Sequence, residues 1–139
     1  RVKITSGYRS PLLNSSIGGS KTSHHCYGFA ADFEVEGKDN KELAEWIRDN
    51  LQFTQLILEF YTPSDPNSGW VHCSYDAKDL KAQVLTATKV DGKTKYQFCN
   101  IPSVKNYPHK LKNVTSAMNV LFAHERGWIA YNKNLKNSN

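Results

Sequence analysis

Ala30-Ala31-Asp32-Phe33-Glu34-Val35 alternates with the two-residue period of a β-strand. Ala31, Phe33 and Val35 form an apolar face, while Ala30, Asp32 and Glu34 point the other way. The stretch Phe53 to Tyr61 repeats the pattern, with Leu56, Leu58 and Phe60 against Gln55, Ile57, Glu59 and Tyr61. Trp70 to Tyr75 gives a third copy, with Val71, Cys73 and Tyr75 on one side and Trp70, His72 and Ser74 on the other. Each strand has a face to bury and sets an acid or a histidine on the opposite face. A sheet with one covered and one open face follows, as antiparallel sheets commonly have.

The flanking segments extend the same reading. Val2 and Ile4 alternate with Arg1, Lys3 and Thr5 as a short first strand, and residues 6–28 form a long structured loop with room for a helical turn. Asp39 or Asn40 caps a helix running to about Asn50, with Leu43, Ile47 and Leu51 on one stripe. Thr62 to Gly69 is a loop with Pro63, Pro66, Asn67 and Gly69. Asp91-Gly92 between Gln83–Val90 and Lys93–Phe98 is the strongest hairpin signal in the chain. Thr115 to His124 is a candidate helix with Met118, Leu121 and Phe122 inward. The predicted class is α+β, a small antiparallel sheet with flanking helices.

The chain has 139 residues, enough for one domain with one core. With 39% hydrophobic and 22% charged residues it is neither disordered nor fibrous. No apolar run nears the ~20 residues of a membrane span. Three cysteines without a C-x-x-C pair argue against a disulfide framework and a cysteine zinc knuckle. Strand spacing begins at the first residues, so the chain is expected to start inside a domain. Residues 1–76 carry net −3 and residues 77–139 net +8. A basic half suits an anionic polymer, with a solvated lysine face as the plain alternative. The aromatic residues there form no stacking motif, which argues against a nucleic-acid partner.

Singly, Asp32 reads as a solvated edge acid, Glu59 as a salt-bridge partner and His72 as an exposed polar residue. On one sheet they converge on one face, and His25 stands seven residues before Asp32. Two histidines and a carboxylate make a usual catalytic zinc set, leaving one position for water. That water becomes a source of hydroxide near neutral pH.

Ser23-His24-His25-Cys26-Tyr27-Gly28-Phe29-Ala30-Ala31-Asp32 reads S-x-H-x-x-G-x-A-x-D. Trp70-Val71-His72 follows downstream, and Ser6-Gly7-Tyr8-Arg9-Ser10, Leu13-Asn14 and Gly18-Gly19 precede it. Over about residues 2–98 this combination resembles the zinc D-alanyl-D-alanine peptidases. These include D,D-carboxypeptidases, dipeptidases and phage endolysins cutting L-Ala-D-Glu bonds, and their metal site is shared with the Hedgehog domain. The resemblance implies one zinc ion on His25, Asp32 and His72. It implies substrate contact by Arg9, whose planar fork suits a carboxylate or a carbonyl, and by Ser23, with Tyr8, Ser6 and Ser10 as weaker candidates for the cleft wall. It implies residues 1–98 as the peptidase domain, lacking the family's preceding helices, with 99–139 as a basic extension. The expected activity is hydrolysis of a peptide bond in bacterial peptidoglycan. An anionic wall polymer is the candidate partner of residues 77–139. A phage origin would mean synthesis in the host cytoplasm and action on the wall. The rivals are a non-catalytic module with a structural zinc and a basic nucleic-acid-binding protein using residues 77–139.

Many members of that family place their catalytic acid three residues before the last histidine. Here that position is Gly69. Glu59, on a neighbouring strand with the correct facing, is the expected general base; Asp65 is the second candidate. His24 falls outside the ligand pattern and reads as a loop or supporting residue. Cys73 reads as core, and His109 and His124 have no ligand spacing.

Overall fold

The computed structural model describes residues 1–99. Nine elements are present: β1 (Val2–Ser6), α1 (Pro11–Ser16), a 3₁₀ turn (His24–Tyr27), β2 (Ala30–Val35), α2 (Asn40–Asn50), β3 (Gln55–Glu59), β4 (Trp70–Ser74), β5 (Gln83–Val90) and β6 (Lys93–Phe98). The candidate helix Thr115–His124, His109 and nearly all of the proposed extension lie outside the described residues.

The six strands form one sheet in the order β1-β2-β4-β3-β5-β6. The sheet is mixed, which corrects the antiparallel expectation. All pairs are antiparallel except β3 with β5, which run parallel. The connections explain this. β3 and β4 are antiparallel neighbours, so β4 ends at Ser74 beside the start of β3 at Gln55. The far side of β4 is already paired with β2. Residues 75–82 therefore cross the end of β3 and lay β5 along its open edge, starting level with Gln55. The backbone follows that path, since Gln83 donates to the Thr54 carbonyl.

The face alternation holds. Ala31, Phe33, Leu56, Val71 and Cys73 are fully buried and pack with Ala44, Ile47 and Leu51 of α2 and the segment after it, and with Phe53. Asp39 caps α2 by accepting from the backbone N–H groups of Lys41 and Glu42 at 2.7 and 3.0 Å. Its other oxygen accepts from the Tyr61 hydroxyl, which ties the helix start to the loop after β3. Asp91 and Gly92 have φ of +52° and +74°, the turn that suits a two-residue hairpin.

Candidate active site

The opposite face of the sheet carries transverse rows of side chains. One row runs Asp32, His72, Ile57, Leu85 and Phe98 across β2, β4, β3, β5 and β6; the next runs Trp70, Glu59, Ala87 and Tyr96. The loop before β2 lays the 3₁₀ turn over this face and adds His25, which is 1% exposed.

His25, Asp32 and His72 meet there. His25 Nε2 lies 3.1 Å from Asp32 Oδ1 and 3.1 Å from His72 Nδ1, and His72 Nδ1 lies 2.8 Å from Asp32 Oδ1. On its other side His25 Nδ1 is 2.7 Å from the Gly7 carbonyl oxygen. That carbonyl can only accept, so the imidazole proton sits on Nδ1 and the Nε2 lone pair points into the triangle. A backbone carbonyl behind a metal histidine is the usual way to set its tautomer. Burial, opposed in part by Asp32, lowers the His72 pKa and keeps that imidazole neutral. Burial raises the Asp32 pKa, but the adjoining His25 and His72 rings outweigh it and hold the carboxyl well below its usual range. Two neutral imidazoles and a carboxylate are the species that bind metal. Donors about 2.0–2.2 Å from a tetrahedral zinc stand roughly 3.3–3.6 Å apart, so the triangle is close to the size the ion needs. Among the described residues these three form the one cluster of His, Cys, Asp or Glu able to hold a metal.

The triangle lies in a cleft of about 550 Å³ also lined by Arg9, Ser23, His24, Glu59, Trp70 and Tyr96. A depression of about 680 Å³ along β1 and β2 holds none of the histidines, so size does not mark the site. Arg9 sits against the metal carboxylate, with Nη2 3.5 Å from Asp32 Oδ2. Among the described residues its buried Nε has no hydrogen-bond partner, and neither does the buried Trp70 Nε1. Glu59 is a diagonal neighbour of His72 across β3 and β4, a relation of about 7–8 Å that long side chains can span. Burial first, and the Asp32 charge second, push the Glu59 carboxyl up to about 7.

The remaining predicted residues separate by position. Ser23 precedes the 3₁₀ turn and lines the cleft. Tyr8 is 63% exposed and lies outside the cleft lining. Ser10 caps α1 by accepting from Leu13 N–H. Asn14 braces the loop, its Nδ2 donating to the Ser20 carbonyl and its own carbonyl accepting from Gly19 N–H. Asp65 is used in its own turn, where Oδ1 accepts from Asn67 N–H, and it does not line the cleft. His24 Nδ1 pairs with the buried Ser74 hydroxyl at 2.8 Å. Cys73 is fully buried, and burial pushes its thiol up to about 12, so it is an inert core residue. Tyr96 was missed in the sequence, because its place depends on which strand the hairpin joins.

A two-histidine, one-carboxylate cluster with an acid beside it in an open cleft has the donor set of a metallopeptidase. The chain belongs to the peptidase M15 family, which its residues 1–74 match. A segment of 56 residues, 40% of the chain, is 36% identical to the zinc D-Ala-D-Ala carboxypeptidase of Streptomyces albus G. The match spans 22% of that relative's length. Together the two likenesses support a zinc peptidase.

Proposed function

We propose that the chain is a zinc peptidase that hydrolyses a peptide bond of bacterial peptidoglycan, as a D,D-carboxypeptidase or an L-Ala-D-Glu endopeptidase of the endolysin type. The observation that carries this reading is the buried triangle of His25, Asp32 and His72 with Glu59 beside it on one sheet face. When bound, zinc would polarise the scissile carbonyl and activate a water. Glu59 accepts the proton of the attacking water and returns it to the leaving amine. Its raised pKa suits both halves of that task near neutral pH. Arg9 keeps Asp32 oriented and offers to a substrate oxygen its Nε, which has no partner among the described residues. Ser23 lines the wall near His25.

The test is purified peptidoglycan incubated with the zinc-loaded chain, with and without a chelator. New free D-Ala identifies the carboxypeptidase, and new N-terminal D-Glu identifies the endopeptidase. Either product should vanish with chelator and return with zinc. No cut bond at full zinc occupancy would overturn the reading in favour of a structural zinc module. A closed structural site needs a fourth protein ligand, and among the described residues no fourth His, Cys, Asp or Glu joins the cluster.

The net +8 of residues 77–139 is proposed to hold the enzyme on an anionic wall polymer. Exposed charges are screened over about 10 Å at 0.1 M salt. Wall binding should then weaken steeply with salt while turnover of a small soluble peptide changes little. Equal salt sensitivity of the two would contradict the tether.

A further inference from the structure

We infer that Tyr96 is a further substrate-binding residue of the cleft, its phenol donating a hydrogen bond to a backbone carbonyl of the bound peptide on the side that Glu59 faces. This rests on the peptidase reading above and names a contact that the sequence did not reveal.

Glu59 pairs with Ala87, and Ala87 pairs with Tyr96, so the three stand in one row across β3, β5 and β6 on the face that carries His72. Two strand spacings separate Glu59 from Tyr96, roughly 9.6 Å between backbones. The residue between them is only a methyl, and Ala87 is 1% exposed. A larger side chain at 87 would fill the space over the row. With alanine there, the tyrosine can lean toward Glu59, and Tyr96 does line the cleft.

The floor beside it is apolar and buried. Ile57, Leu85 and Ala87 form a small buried cluster on this face, separate from the main core. Water competes less for a hydrogen bond made beside such a floor, which is correspondingly stronger. The Tyr96 hydroxyl has no hydrogen-bond partner among the described residues, and the residue remains 56% exposed. Burial, with the charges of Glu59 and then Asp32, raises the phenol pKa. The hydroxyl therefore stays protonated at neutral pH, as a donor and not a base. Glu59 and Asp32 can only accept when ionised, so a phenol donor supplies what a peptide carbonyl needs on this wall.

The test uses the zinc-loaded full chain and the stem peptide L-Ala-D-Glu-L-Lys-D-Ala-D-Ala, which contains both candidate scissile bonds. Tyr96→Phe removes only the hydroxyl. It should raise KM about 3- to 10-fold with kcat within about 2-fold, the pattern of a lost ground-state hydrogen bond. Binding of the same peptide to Glu59→Gln, with and without Tyr96→Phe, should show the same loss of affinity without turnover. Unchanged KM and unchanged affinity in Tyr96→Phe, beside a wild-type chain that cuts normally, would overturn the inference alone. A fall in kcat with KM unmoved would also overturn it. A wild-type chain that neither binds nor cuts the peptide would overturn the peptidase reading and this inference with it.

Discussion

Gly69 lies against the carbonyl oxygen of Glu59, with φ of +65°, and a Cβ at position 69 would overlap that oxygen and the Phe60–Tyr61 backbone. The position where the resemblance leads one to expect a catalytic acid is thus closed to a side chain here, and Glu59 lines the cleft instead.

Placing an acid at 69 should therefore harm the protein. Gly69→Glu and Gly69→Ala should each cost at least about 1–3 kcal/mol from the left-handed backbone alone, with the overlap added. Thermal melts of the two variants check this. Unaltered melting, or an active Gly69→Glu, Glu59→Gln double variant, would show that the acid can sit at either place.

Glu59→Gln should leave zinc bound and the fold intact while lowering turnover by about 10²–10⁴. Asp65→Asn should stay near wild type in turnover, because Asp65 accepts from Asn67 N–H within its own loop. Turnover of the stem peptide measured on both variants decides between the two acids. A silent Glu59→Gln beside a dead Asp65→Asn would reverse the assignment.

The Glu59 carboxyl also leaves a signature on stability in the metal-free protein. Its pKa is raised from 4.5 to about 7 by burial and the Asp32 charge. The folded chain then holds the proton more tightly than the unfolded one, so this contribution is fully present below pH 4.5 and is lost as pH rises through about 7. Asp32 acts with the opposite sign, since its lowered pKa contributes stability that disappears as pH falls below the ordinary carboxylate range. Comparison of wild type with Glu59→Gln isolates the first effect. The wild type should lose stability relative to the variant between about pH 4.5 and 7, as read by denaturant unfolding in chelator. A pH-independent difference would contradict a buried, proton-holding Glu59.

Much of this site was legible because alternation along a strand assigns faces without knowledge of the partner strands. Phe33, Leu56 and Val71 could be sent to the core, and Asp32, Glu59 and His72 to the other side, from spacing alone. The Asp91-Gly92 hairpin was equally local. Strand order was not. Whether β5 joins β3 or another edge depends on long-range pairing, and that choice makes the sheet mixed and brings Tyr96 to the cleft. The Gly7 carbonyl behind His25 and the Arg9 contact with Asp32 were hidden for a related reason. Both arise where β1 shifts register between Ile4 and Ser6 and the chain folds over β2, and no side-chain pattern encodes a backbone carbonyl's direction.

The most direct measurement is the zinc content of the purified chain and of His72→Ala, read by native mass spectrometry beside a melting curve for each. His25, Asp32 and His72 as the ligand set predicts one zinc on the wild type and none on His72→Ala, with the variant still folded in its metal-free form. Full zinc occupancy in a folded His72→Ala would contradict it.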